Sequence, residues 1–115
     1  MNPKNILNVY TLEDISEPGK MPVQKLKYLK EKYYEKRYVG VTRKYAADGA
    51  DSRVDALVRI WADPEIEEGY YVKLPDGKQY RIDYIQDGDD EDNLPIFDLT
   101  LIRLENNYDV IDGQT

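Results

Sequence analysis

Between Val54 and Leu104 the chain alternates apolar and polar residues at every second position, four times over. Val54, Ala56, Val58 and Ile60 alternate with Asp55, Leu57, Arg59 and Trp61. Tyr70, Val72 and Leu74 alternate with Tyr71 and Lys73, and Tyr80, Ile82 and Tyr84 with Gln79, Arg81 and Asp83. Phe97, Leu99 and Leu101 alternate with Asp98, Thr100 and Ile102. A period of two sends successive side chains to opposite faces of an extended chain, so each stretch is expected to be a half-buried β-strand.

The middle two stretches make a hairpin whose register follows from its turn. Pro75-Asp76-Gly77 fits a type I turn closed by a left-handed glycine. A three-residue loop then pairs Leu74 with Lys78, Val72 with Tyr80 and Tyr70 with Ile82. The apolar residues of both strands fall on one face, and Tyr71 with Arg81 and Lys73 with Gln79 on the other. A one-residue slip would turn one strand's polar set inward, so turn chemistry and pattern agree independently.

A chain of 115 residues fits one domain and buries about two-thirds of its unfolded surface, enough for a core without staples. With no cysteine there is no disulfide framework or thiolate metal site, in keeping with a reducing cytoplasm. Met1 to Leu12 lacks a signal-peptide layout, and no segment approaches the roughly 20 apolar residues of a membrane helix. The expectation is a soluble intracellular protein with no membrane partner. Eleven tyrosines against one Phe and one Trp suit a small sheet or an interface.

The net charge of −7 is unevenly spread. Lys20, Lys25, Lys27, Lys30, Lys32, Lys36, Arg37, Arg43 and Lys44 are opposed within their segment only by Glu31 and Glu35. That segment carries +7 and leaves −14 elsewhere. One reading is a solvated face whose charge is local. Another is head-to-tail association, the basic segment of one subunit meeting the acidic body of the next; such contacts form rings when the rotation closes. The basic residues could also meet nucleic acid, against long-range repulsion from the acidic remainder.

Along the chain, Ile6 to Leu12 reads as a first strand and Glu13 to Gly19 as a turn. Val23, Leu26, Leu29 or Lys30, and Tyr33 keep a helix-like spacing after Pro22. A short helix is therefore expected within 22–34, followed by a strand near Glu35 to Thr42. Ala46 to Arg53, Asp63 to Gly69 and Gln86 to Pro95 read as loops, and Asn106 to Thr115 as a fraying polar tail. The expected fold class is mainly β: a small antiparallel β-barrel-like domain with long loops and one short helix. Residues 1–33 form an N-terminal strand and linker, 34–104 the barrel core and 105–115 the tail.

The inventory of chemical groups argues against an enzyme. There is no histidine, and Ser16 and Ser52 are the only serines, so no Ser–His or Cys–His pair exists. Gly40, Gly49, Gly69 and Gly77 are isolated and build no phosphate loop. Carboxylate pairs for glycoside cleavage are not excluded by spacing, but nothing supports them. The acidic run Asp87, Asp89, Asp90, Glu91 and Asp92 superficially resembles a calcium loop. It lacks the glycine at the sixth position and has Asp98 where the twelfth should be Glu. It reads as a solvated acidic loop, with a weak divalent-ion site as the lesser alternative. No cofactor or metal is expected. Trp61, with Arg59 on its strand face, either covers a second apolar cluster or anchors a partner.

Tyr34, Arg37, Val39-Gly40, Arg43, Tyr45-Ala46-Ala47, Val54-Asp55 and Leu57-Val58-Arg59-Ile60 form an ordered series. Asp76-Gly77, Tyr80-Arg81-Ile82 and Asp98-Leu99-Thr100-Leu101 continue it. In order and spacing the series resembles the head-closure, or head–tail joining, proteins of tailed bacteriophages, from Tyr34 to Leu104. The resemblance implies a small β-barrel assembling as a ring below the portal and adaptor proteins of the phage neck. Such a ring closes the DNA-filled head and offers the tail protein a docking surface. The protein would reside in the virion after assembly in the host bacterial cytoplasm. Ala46 to Arg53 matches a channel-facing loop of that family; its Asp48 and Asp51 would repel DNA and let it slide, without sequence-specific binding. The expected interface residues are Lys25, Lys27, Lys30, Lys36, Arg37, Arg43, Arg59 and Trp61. Alternatives are another phage morphogenesis component, such as a tail-completion or adaptor protein, and a small barrel that binds peptide or nucleic acid.

Overall fold

The structure, a computed structural model, describes residues 1–37 and 54–111. The expected Ala46 to Arg53 loop, the candidates Arg43, Asp48 and Asp51, and the strand residues beyond Arg37 lie outside that range. Among the described residues there are six antiparallel strands: β1 (Asn5–Asp14), β2 (Gln24–Arg37), β3 (Ala56–Trp61), β4 (Tyr71–Lys73), β5 (Gln79–Asp89) and β6 (Pro95–Arg103). They close in the order β1-β2-β3-β6-β5-β4, the circle completed where Asn8–Tyr10 of β1 pair with Tyr71–Lys73 of β4. The fold is mainly β, as the alternation requires.

The hairpin register is the expected one. Tyr71, Val72 and Lys73 stand opposite Arg81, Tyr80 and Gln79, Ile82 N–H donates to the Tyr70 carbonyl at 2.7 Å, and Gly77 N–H to that of Leu74 at 2.9 Å. Gly77 has φ 82°, the left-handed conformation the turn demands. The inward set of the barrel comprises Leu7, Val9, Tyr34, Val58, Ile60, Val72, Tyr80, Ile82, Leu99 and Leu101, joined by Ile66 from the β3–β4 loop.

Three expectations need correction. No helix occurs among the described residues; Gln24–Arg37 is one long strand. Its three-residue apolar spacing has a different cause. Val9 pairs with Lys30 but Tyr10 with Tyr28, so Leu29 is an extra residue in β2, a β-bulge that reverses side-chain parity. Second, β5 and β6 run to Asp89 and from Pro95, so the loop expected over Gln86 to Pro95 shrinks to 90–94. A second bulge leaves Asp83 unpaired between Ile82–Leu101 and Tyr84–Thr100. It turns Tyr84 outward and brings Ile85 into the inward phase. Third, the tail is bonded to the barrel as far as Ile111: Leu26 N–H donates to the Asp109 carbonyl and Ile111 N–H to that of Leu26, both at 2.9 Å.

The loop between β3 and β4 crosses one end of the barrel. Ile66 points into the core, 3% exposed, while Ile85 N–H of β5 donates to Glu68 Oε2 at 2.9 Å. No described helix is long and apolar enough to cross a membrane. Replacing Ile66 by Ala should cost about 2–5 kcal/mol of folding stability, read as a lower urea midpoint at an unchanged slope. A cost below about 1 kcal/mol would show that the loop does not seal the core.

Candidate functional site

The charged residues singled out in the sequence are distributed by the Leu29 bulge. Lys25, Lys27, Lys30 and Lys32 stand opposite Glu13, Thr11, Val9 and Leu7, alternate residues of one uninterrupted strand. All four lysines therefore share the inward-facing side of the β1–β2 pair, although their sequence positions change parity. Lys36 is on the same side, opposite Val58.

Lys30 and Lys32 lay their aliphatic stems at the rim of the core and place their ammonium groups at the β3–β4 loop. Lys30 Nζ donates to Asp63 Oδ2 at 2.7 Å and also to Glu65 Oε1. Lys32 Nζ reaches the same Asp63 oxygen at 3.3 Å, and Glu65 N–H donates to Asp63 Oδ1 at 3.0 Å. Burial tends to raise the Asp63 pKa, but the Lys30 bond, the Glu65 amide and Lys32 together outweigh it and hold the carboxyl below its usual 3.8. The Asp63 and Glu65 bonds raise the Lys30 pKa above 10.5.

Other basic candidates also meet carboxylates of their own chain. Lys27 lies 3.9 Å from Glu13, and Arg37 donates to Glu35 at 2.9 Å. Arg59 grips Asp98 through two parallel bonds, Nε to Oδ1 at 2.7 Å and Nη2 to Oδ2 at 3.0 Å. The β3–β6 register that sets Arg59 opposite Asp98 also sets Trp61 opposite Ile96, with Gly88 across from Ile96. Trp61, half-buried, thus lies beside Ile96 on the outer surface. Lys25 and Lys36 have no ion pair among the described residues.

The acidic run divides into two parts. Asp87 and Asp89 lie on β5. Asp90, Glu91 and Asp92 form the turn, where their carboxylates come close enough together to share a cation. Asp90 Oδ1 accepts from the amides of Asp92 and Leu94, both at 2.9 Å, which fixes the turn. The Met1 ammonium bonds Asp90 at 2.8 Å and Glu91 at 2.6 Å, and those two bonds raise its pKa to about 10. A positive charge of the chain itself therefore stands against this cluster. Calcium at millimolar concentration should leave the thermal midpoint unchanged; a clear rise would restore the divalent-ion alternative.

A cleft of about 280 Å³ opens at the opposite end of the barrel, lined by Tyr34, Lys36, Asp55, Leu74, Asp76 and Tyr80 among others. Burial, then the hydrogen bond to Asp76, pushes the Tyr80 phenol up to about 12. Sequence reasoning missed Asp63, Glu65 and Met1 as counter-charges, and Gln79 and Tyr108 as an anchoring pair. Each depends on contacts distant in sequence, for which local pattern carries no signal. No protein-family model matches the chain, and a search of curated proteins finds no match.

The Asp63 cluster sets a pH window. A depressed carboxyl pKa stabilises the fold above its unfolded value and ceases to do so as pH falls through the folded one. A raised lysine pKa acts conversely, its contribution lost as pH rises through the folded value. Acid denaturation monitored by circular dichroism should thus show stability falling below about pH 4, with a shallower slope in Asp63→Asn. At pH 7, Asp63→Ala, which leaves two partly buried ammonium groups facing each other, should cost about 1–3 kcal/mol.

Proposed function

We propose that this chain is a structural subunit of a tailed-phage neck, of the head-closure kind. It would assemble as a ring below the portal and adaptor, close the DNA-filled head and present the docking surface for the tail. The observation that carries the reading is the ordered residue series from Tyr34 to Leu101. Seven of its members, Tyr34, Val58, Ile60, Tyr80, Ile82, Leu99 and Leu101, are core residues of one barrel, the fold that the resemblance implies. The absence of a nucleophile–base pair from the sequence suits a structural part. Because the barrel interior is packed with side chains, DNA would pass through the centre of the ring, not through a subunit, and without base-specific contacts. Mature protein would be found in the virion, after assembly in the host bacterium.

Much of the basic charge is already matched within the subunit by Asp63, Glu65, Glu13, Glu35 and Asp98. A charged contact between copies would draw on Lys25 and Lys36 against Asp87, Asp89 and Asp92, which have no ion-pair partners among the described residues. Assembly should therefore weaken with salt, but less steeply than a contact of +7 against −14 would. Sedimentation over a salt series reads this, and an oligomer indifferent to salt would remove the electrostatic contact.

Negative-stain imaging of the purified chain, alone and mixed with portal, adaptor and tail proteins encoded beside it, tests the function. Rings with an open centre are expected. Monomers in every mixture, or neighbouring genes without portal and major capsid proteins, would sink the reading.

A further inference from the structure

The circle of strands closes on a short seam. Three residue pairs, Asn8 with Lys73, Val9 with Val72 and Tyr10 with Tyr71, join β1 to β4, against ten between β1 and β2 and nine between β5 and β6. Two other junctions also have three described pairs, but each has a second tie. β4 and β5 are the arms of one tight hairpin. Between β2 and β3, Lys30 and Lys32 bind Asp63 and Glu65 of the loop that follows β3. No ion pair among the described residues joins β1 to β4.

The segment after β6 supplies the missing tie. Leu104 N–H donates to the Gln79 carbonyl of β5 at 2.9 Å. Tyr108 N–H donates to Gln79 Oε1, and Gln79 Nε2 donates to the Tyr108 carbonyl, both at 2.8 Å. The Tyr108 ring meets Tyr71 of β4 edge-on, centroids 5.6 Å apart. The next residues bind β2: Leu26 N–H donates to the Asp109 carbonyl and Ile111 N–H to that of Leu26, both at 2.9 Å. In the strand order, β5 and β4 stand on one side of the seam and β1 and β2 on the other. One segment therefore holds both sides. Tyr10, the outward-facing partner of Tyr71, is only 1% exposed, in keeping with a covered seam.

We infer that residues 104–111 are a strap that keeps the barrel shut at β1–β4, and that releasing the strap opens this seam while the rest of the sheet stays paired. Glu105, Asn106 and Asn107 are exposed, so the strap leaves the sheet after Leu104 and returns to it at Tyr108 as a unit of its own. Opening gives up the three seam pairs alone, because β1 stays zipped to β2 and β4 to β5. It is thus a local event of lower cost than unfolding the barrel. Opening also bares one edge of β1 and one of β4, so the closed strap keeps both edges from pairing with other chains. The inference does not depend on the neck reading.

Native-state hydrogen exchange of the full chain, followed by NMR, compares the amides that bond across the β1–β4 seam with those that bond β3 to β6. Tyr108→Ala frees the strap from β4, and Ile111→Pro removes its donor to Leu26. Each variant should speed exchange at the seam about tenfold or more and leave the β3–β6 amides nearly unchanged. The double variant should exchange no faster at the seam than the quicker single one, because loosening either end frees the whole strap. Additive effects would show contacts that act separately and would overturn the strap. Equal acceleration in both sets of amides, or none at the seam, would overturn it too. So would loss of the fold in either single variant, since the segment would then belong to the cooperative core.

Discussion

Closing six strands on themselves demands that every strand keep one apolar parity toward the interior, and β2 can meet that demand only through the extra residue at Leu29. Residues 30, 32 and 34 must follow the inward phase because Tyr34 is core and Leu7 and Val9 stand opposite Lys32 and Lys30. Without a bulge, Leu26 and Tyr28 would continue inward on the same parity. The bulge sends them out instead, next to Tyr10, which meets Tyr28 edge-on at 5.8 Å. A second apolar surface therefore lies on the outside of the sheet, where the C-terminal segment is seated.

The same parity reversal arranges the charge. Four lysines that would have been split between two faces are gathered on one, and two of them end at the rim of the core, where a bare ammonium would be costly to desolvate. Asp63, only 8% exposed, answers both and ties the β3–β4 loop over the barrel end, with Ile66 beneath it. Core closure and charge neutralisation thus meet in one short loop. Basic residues that seem available for a partner when counted along the sequence are largely committed within the fold.

The proposed neck function would draw on two different parts of this architecture. The barrel supplies a rigid body, held by its own core and turns. Contacts between copies would come from elements added to that body: the charges at Lys25 and Lys36, which have no ion pair among the described residues, and the acids of the β5–β6 hairpin. A subunit organised in this way can fold first and associate afterwards, because the elements that join copies are not those that close the core.

By itself the sequence determined the strands from Val54 to Leu104 and the β4–β5 register, because alternation and turn chemistry are local and each residue's face follows from its neighbours. It also determined the lack of a histidine- or cysteine-based catalytic pair, which follows from composition. Only the tertiary structure decided that residues 24–37 form a strand and not a helix. A bulge leaves a mixed spacing of two and three that either element could produce, and only pairing with β1 selects between them. The ion pairs of Lys30, Lys32 and Arg59, the bond from the Met1 ammonium to Asp90 and the seating of Tyr108 on Gln79 were likewise decided there. Each joins residues about 30 or more positions apart, and such distances are set when the sheet closes, not by any pattern along the chain.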